Sequence, residues 1–361
     1  MNSINLKIEG DYVNSFIYSG LLFLVKNGGE VIIFDWRRLL NKKIKKREYR
    51  EFANNCSITI KEDFEDIAFD LEENEISDCT LDKTFLNFWP SDFVIYSNVL
   101  YFSGQSGVEA IALDFNNKKF IEGNRKFIYS NRAYKLASAK HRGIAIAAGI
   151  NGVVLKSINK YLDDITPPKL LEKNSIDIEW GTSTLVINSD FVSSVDFFEK
   201  MPNADFEKMN RTEKESYNAL KISRSLEREM PGYSWSVGNR LFNMNESNVR
   251  RSVISQEEGD EKFKVKEVKI KSEYYSFDNF DSARSGSFGC VVDLYDRLIL
   301  MNDYEIRELG RDLTKWKVFP RAKNYVNHLH MIEDDCLNIK IFARRDMISR
   351  KFGISPSNID A

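Results

Sequence analysis

Two of the three histidines, His328 and His330, stand two apart in a run of strand-forming residues, Tyr325 to Ile332. A strand would present both imidazoles on one face. Two imidazoles are half of a zinc site, and Glu333, Asp334 and Asp335 follow as possible oxygen donors. A metal centre needs three or four ligands, however, and the acids fall at the hairpin turn beyond the strand. The expectation is therefore partly exposed strand residues and no metal. Nucleophilic chemistry fares no better. Gly104-Gln105-Ser106-Gly107 is one residue short of a nucleophile elbow, and no phosphate-binding loop or dinucleotide fingerprint is present. Glu179 with Asp293 and Asp296 could be set up as a glycosidase carboxylate pair, but any large β-protein offers such acids. No catalytic residue, cofactor or metal is assigned from the sequence.

The elements that would have to position such residues are far more legible. Ile144 to Ala148 is one apolar run, Gly149-Ile150-Asn151-Gly152 a turn, and Val153 to Ile158 a second run. Asn-Gly between β-formers is a strong hairpin signal, because both residues tolerate positive φ. The design recurs. Leu21 to Val25 turns through Lys26-Asn27-Gly28-Gly29 into Val31 to Phe34, and Val99 to Phe102 turns through Ser103 to Gly107 into Val108 to Asp114. Continuous apolar runs of this length read as strands covered on both faces. Aligned on the last turn glycine, Gly29, Gly107 and Gly152 each precede a β-run, and the last two are 45 residues apart (152 − 107). Weaker copies occupy 176–187, 233–254, 287–306 and 325–342. Seven hairpin cores near this period predict an all-β chain, a single β-propeller over 1–361 with about seven blades. Six or eight remain open, since strand boundaries read from one sequence are soft.

The stretch from Ile144 to Ser157 resembles repeats of sialidase-like and photosystem-assembly-factor-like propellers: apolar strand, Gly149, Asn151, Gly152, apolar strand, Ser157. The Asp-box that often follows is not kept, since Asn159 stands where its Asp belongs and no Gly or Trp follows. The GH and WD dipeptides of WD40 repeats are absent too. The resemblance thus implies the fold and no active site.

Residues 199–231 break the pattern. They lack β-branched runs, Thr212 and Glu215 have capping-box spacing, and Tyr217, Leu220, Leu226 and Met230 form a loose apolar stripe. The spacing predicts a helical insertion between blades, closed by Pro231-Gly232, that covers a rim or docks a partner. Tyr217, Leu220, Arg224 and Arg228 from this segment, with Trp235 beyond it, are the candidate binding residues. The five tryptophans, Trp36, Trp89, Trp180, Trp235 and Trp316, fall in different repeats, as blade-packing aromatics would, with one or two left for a rim.

Hydrophobic residues make up 42% and charged residues 29% of the 361, with a net charge of −2. That balance suits a soluble globular chain and gives no reason to expect nucleic acid or an anionic membrane. Residues 37–50 carry eight Lys or Arg, and 61–78 carry nine acids against one Lys; they read as two solvated connections whose charges attract each other. No apolar run approaches the roughly 18–20 residues that span a bilayer, and no secretory signal opens the chain. The four scattered cysteines read as free thiols of a reducing cytoplasm, and the Lys- and Asn-rich, Pro-poor composition as a bacterial source. The function expected is a non-catalytic protein-binding or scaffold subunit. The alternative is a hydrolase or lyase acting on a carbohydrate-like ligand in the propeller channel.

Overall fold

The computed structural model describes residues 2–56, 66–139, 142–182, 184–190, 192–198, 208–210, 213–214, 222–245, 248–256, 263–270, 280–343, 349 and 352–353. The chain opens with β1 (Ser3–Glu9), β2 (Tyr12–Tyr18), β3 (Leu21–Lys26) and β4 (Glu30–Asp35), then α1 (Trp36–Lys43) and α2 (Arg47–Asn54). Next come β5 (Ile67–Leu71), α3 (Glu73–Ser77) and β6 (Thr80–Phe85). Strands follow: β7 (Pro90–Tyr96), β8 (Val99–Gly104), β9 (Gly107–Asp114), β10 (Lys119–Tyr129), β11 (Lys135–Ala139), β12 (Gly143–Ala147), β13 (Val153–Ile158) and β14 (Asp164–Leu171). β15 (Asp177–Trp180), β16 (Thr184–Asn188), β17 (Val192–Phe198), β18 (Ile222–Pro231), β19 (Tyr233–Val237), β20 (Arg240–Asn245), β21 (Asn248–Gln256) and β22 (Phe263–Ile270) follow. The last are β23 (Ser282–Ser285), β24 (Cys290–Leu294), β25 (Arg297–Met301), β26 (Ile306–Arg311), β27 (Lys315–Val318), β28 (His328–Ile332) and β29 (Cys336–Phe342).

These strands form seven sheets. Blade 1 is β2-β3-β4-β6, blade 2 β7-β8-β9-β10, blade 3 β11-β12-β13-β14, blade 4 β15-β16-β17-β18, blade 5 β19-β20-β21-β22 and blade 6 β23-β24-β25-β26. Blade 7 is β27-β28-β29-β1, extended by β5. The fold is a seven-blade β-propeller, and each of the seven hairpins read from the sequence falls in a different blade. Residues 1–87, 115–120 and 278–361 make one compact unit, and 88–114 with 121–277 a second.

Burial explains why those hairpins were readable. The second and third strands of a blade are covered on both faces, as in β3, β8 and β12, whose residues are buried almost throughout. Outer strands such as β6 are exposed or half-exposed along their length, so their sequences carry no apolar run. The turn glycine has a second duty. Gly152 has φ +88°, and a Cβ there would lie 2.4 Å from the Leu171 carbonyl at the end of β14. Gly107 is caught in the same way against the Tyr129 carbonyl at the end of β10.

The N-terminal strand β1 closes blade 7, pairing antiparallel with β29 from Ser3↔Phe342 to Glu9↔Cys336. Its other edge takes β5 in parallel, Ile4↔Ile67 through Ile8↔Leu71. β5 comes from an insertion between β4 and β6 that the charge pattern concealed. Residues 37–50 are not a solvated connection: α1 and α2 bury Trp36, Leu39, Leu40, Tyr49, Phe52 and Ala53. The cations occupy the opposite face, which is why composition alone misread the segment. The expected attraction between the two charged runs is present. Lys42 pairs with Asp78 at 2.6 Å and Lys43 with Glu75 at 2.6 Å. Both carboxyls are held below their ordinary range, chiefly by the hydrogen bonds from those lysines.

The helix expected over 199–231 needs correction at its C-terminal end. Residues 222–231 are β18, the outer strand of blade 4, paired with β17 from Val192↔Pro231 to Phe198↔Ile222. The apolar spacing of four in Ile222, Leu226 and Met230 fits an i, i+4 helix face, and β18 slips register against β17 between Arg228 and Ser223, so its sequence shows no continuous strand alternation. A helical start does exist. Asn210 Oδ1 accepts the Glu213 N–H at 3.0 Å and Glu213 Oε2 accepts the Asn210 N–H at 2.8 Å, a reciprocal capping box two residues before the one expected. Thr212, Glu215, Tyr217 and Leu220 lie outside the described residues.

Candidate interaction surface

The histidine pair lies on a strand as expected but is core, not partly exposed. His328 and His330 on β28 are wholly buried. His328 Nε2 lies 3.1 Å from the Ala53 carbonyl at the end of α2, so this nitrogen carries the proton and donates. The ring leans on Trp36 at 5.9 Å and meets Tyr325 edge-on at 5.2 Å. His330 Nδ1 is 2.9 Å from Ser15 Oγ on β2. Burial pushes the His328 imidazole down to about 3. Burial, His328 and Lys317 hold His330 well below its ordinary value. Among the described residues no acid joins them. Glu333 and Asp335 instead gather with Cys336 at the β28–β29 turn, where Asn338 Nδ2 donates to Glu333 Oε1 at 2.6 Å and burial pushes the Cys336 thiol up to about 12.

The carboxylates of the glycosidase alternative are engaged in structure. Glu179 Oε2 accepts the Ser236 N–H of the next blade at 2.9 Å, and Asp293 Oδ2 accepts Trp316 Nε1–H at 2.6 Å. Within the second unit this is a system. Asp92 Oδ2 takes the Leu136 N–H from blade 3 at 3.2 Å, and Tyr233 donates its hydroxyl to Asp177. Asn188 exchanges two bonds with the Ser234 backbone, each 2.9 Å. Buried polar side chains so stitch blade to blade, satisfying groups that would otherwise be costly to bury. The sequence signal was an acid or amide inside an apolar strand, which reads equally well as a catalytic residue.

Of the candidate binding residues, Trp235 is corrected. It is fully buried on β19 and stacks on Phe242 at 5.1 Å with 9° between ring planes, so a partner cannot reach it while blade 5 is folded. Tyr217 and Leu220 lie outside the described residues. Arg224 and Arg228 are on β18, whose backbone alone is described there.

The tryptophan left for a rim is Trp89. Trp36, Trp180 and Trp235 are buried and Trp316 half-buried, whereas Trp89 is 55% exposed. Pro90, the first residue of β7, restricts Trp89 to extended backbone. Phe88 lies over Gly104, where a Cβ would sit 2.6 Å from the Phe88 ring. Phe88 in turn meets Phe127 of β10 with ring centroids 5.9 Å apart, and Phe127 is 46% exposed. Glycine at 104 thus makes room for an aromatic corner on blade 2: Phe88 half-buried, Trp89 and Phe127 open to solvent. Ile121, six residues back on β10 and of the same parity as Phe127, is exposed as well. Lone exposed apolar residues are ordinary, but clustered ones mark interaction sites.

No known family matches the chain by sequence, and no curated protein matches it. Among solved structures, the Pan2 WD40 domain of Neurospora crassa is 8% identical, with a TM-score of 0.47 over 94% of this chain and 92% of that one. Hsv2 of Kluyveromyces lactis is 13% identical, with a TM-score of 0.40 over 65% of this chain and 66% of that one. The extracellular domain of the putative one component system BT4673 from B. thetaiotaomicron is 11% identical, with a TM-score of 0.43 over 91% of this chain and 40% of that one. The chain thus spans less than two thirds of the last two. At these identities the likenesses bear on no activity or partner, and the sialidase-like label gains no support from them. Among the described residues no helix is long and apolar enough to cross a membrane.

Proposed function

We propose that this propeller is a protein-binding scaffold, and that its docking surface is the aromatic corner of blade 2. The observation that carries the reading is Trp89 held in solvent, next in the chain to Phe88, which meets the exposed Phe127, while the buried acids suited to chemistry support neighbouring blades. A rigid blade with a solvent-facing Trp is the kind of anchor on which interface energy concentrates. The segment 199–221, with Tyr217 and Leu220, and Arg224 and Arg228 on β18 form a second docking element of the same scaffold. The setting is cytoplasmic, in keeping with four free cysteines, all buried.

The test is affinity capture from native cells with wild type, Trp89→Ala and Phe127→Ala, each checked for unchanged melting temperature. The corner variants should lose a partner that wild type holds. An unchanged set of captured proteins would remove the corner from the docking surface.

A further inference from the structure

The corner sits near the end of an outer strand, and the charges there select what its edge can take. β10 is the outer strand of blade 2 and has 11 residues against 8 in its neighbour β9. Among the described residues no strand pairs with its outer side, although side chains take two of its main-chain groups: Asp82 Oδ2 accepts the Phe120 N–H at 2.8 Å and Lys156 Nζ donates to the Ile128 carbonyl at 3.0 Å, which leaves 121–127 for a new strand. From Ile121 to Lys135 the sequence carries four cations, Arg125, Lys126, Arg132 and Lys135, against the single acid Glu122. Arg125 is matched by Glu109 of β9 at 2.7 Å. Lys126 and Arg132 are exposed, and Arg132 lies over the Tyr134 ring at 4.6 Å. Cations on an edge strand guard against pairing with a second copy of that same edge. They do the opposite for an acidic strand.

The molecule shows what a blade edge accepts. The outer edge of blade 7 is filled by β5, in which Ile67, Phe69 and Leu71 alternate with Ala68 and Asp70. Asp66, just before it, accepts the Ser3 N–H at 2.7 Å and the Ser3 hydroxyl at 3.1 Å. The register sets Asp70 opposite Lys7. An acidic, alternating apolar strand is thus seated on an edge that offers a lysine, with main-chain pairing supplying affinity and the side chains specificity.

We propose that the edge of β10 captures an extended protein segment of the same chemistry, in which Asp or Glu alternates with aliphatic or aromatic residues, anchored on Phe127 and Trp89. This rests on the blade 2 corner being the docking surface. Complementary charge selects the partner and makes capture salt-dependent: a strand of acids finds Lys126 on β10 and Arg132 just beyond its end.

The probe is a labelled twelve-residue peptide alternating Glu with Ile and Phe, titrated against the full chain by fluorescence anisotropy at 50 and 300 mM salt. Controls are the same peptide with Lys for Glu, and a single-stranded RNA of equal length. The Glu peptide should bind at least about ten-fold more tightly than the Lys peptide. It should weaken about ten-fold or more in the double variant Lys126→Glu, Arg132→Glu, and should slow amide exchange along 121–129. Equal binding of the Lys peptide would overturn the inference, as would RNA binding that depends on Lys126 and Arg132 while the Glu peptide stays free. Loss of a cellular partner in Trp89→Ala, with no capture of the Glu peptide, would leave the docking surface standing and refute the acidic strand. If Trp89→Ala changes neither, both readings fall.

Discussion

Acid should loosen blade 7 before it titrates the carboxylates, because two histidines are buried there uncharged. The folded pKa of His328 lies at about 3, against about 6.5 in an unfolded chain. A depressed histidine makes the unfolded state take up the proton first as pH falls. Stability is therefore full above pH 6.5 and is lost progressively between there and about 3. At pH 5 the unfolded side has gained 1.5 units, and at about 1.4 kcal/mol per unit one histidine costs about 2 kcal/mol. His330 shifts in the same direction, with burial first and then the charges of His328 and Lys317 as causes, so the pair costs up to about 4 kcal/mol against a typical total of 5–15. Protonation would also set a charge between Trp36 and Tyr325, against which the His328 ring packs, and so work against the seating of α1 and α2. Urea unfolding at pH 7.5, 6.5, 5.5 and 5.0 reads this directly, and above pH 5 the ordinary carboxylates stay ionised. His328→Phe with His330→Phe should flatten the slope whatever it does to absolute stability. A wild-type stability that does not change from pH 7.5 to 5.0, or a slope that survives the double substitution, would refute the reasoning.

Gly152→Val should cost about 3 kcal/mol or more, because a branched side chain must adopt positive φ with its Cβ against the Leu171 carbonyl; an unchanged melting temperature would contradict that packing. Trp235→Ala should destabilise by about 3–5 kcal/mol and lower binding only in proportion to the unfolded fraction, as calorimetry beside capture would show. Replacing 203–219 with a short Gly-Ser linker should cost within about 1 kcal/mol, since it leaves β17 and β18 in place and chain closure depends only weakly on length. Carrying the deletion to 229 removes β18 from blade 4 and should cost about 3 kcal/mol or more; equal melting of the two deletions would place β18 outside the cooperative fold. Duplex DNA should bind weakly at physiological salt, because Lys42 and Lys43 are already paired with Asp78 and Glu75; a salt-sensitive submicromolar complex would overturn this.

What could be read from the sequence tracks how deeply each strand is buried. The central hairpins are covered on both faces, so Leu21–Val25 or Ile144–Ala147 announce themselves as apolar runs. The outer strands do not, and β18 in particular shares its spacing with a helix. The pairing of β1 with β29 was invisible, because it joins residues at opposite ends of the chain and nothing local encodes it. The helices α1 and α2 were hidden by eight cations laid over a buried stripe of Trp36, Leu39, Leu40, Tyr49 and Phe52. For the site, a polar residue in an apolar strand looks alike whether it does chemistry or holds the next blade, as Glu179 and Asp92 do. Trp89 and Trp235 differ only in context: the first precedes a proline at a strand start, while the second sits in the alternating run Tyr233–Val237.

The outer strands differ in how their edges are blunted. An open strand edge is a hazard that proteins blunt with proline, charge, bulges or cover. β14 carries Pro167 and Pro168, and proline has no N–H to offer a new strand. β22 carries Lys264, Lys266 and Lys269 among its eight residues. β26 slips register against β25 between Leu298 and Ile299, and blade 7 is covered outright by β5. β10 has charge too, with Ile121 and Phe127 left exposed along it, as Leu81 and Phe85 are on β6, Leu170 on β14 and Ile306 on β26; what β10 adds is the contact of Phe127 with Phe88, the chain neighbour of the exposed Trp89. Protection against self-pairing explains Lys126 and does not explain the exposed aromatics, because a guarded edge gains nothing from apolar surface in water. Cations that exclude a like strand, beside apolar anchors that favour contact, are together the requirements for selective capture of an unlike one.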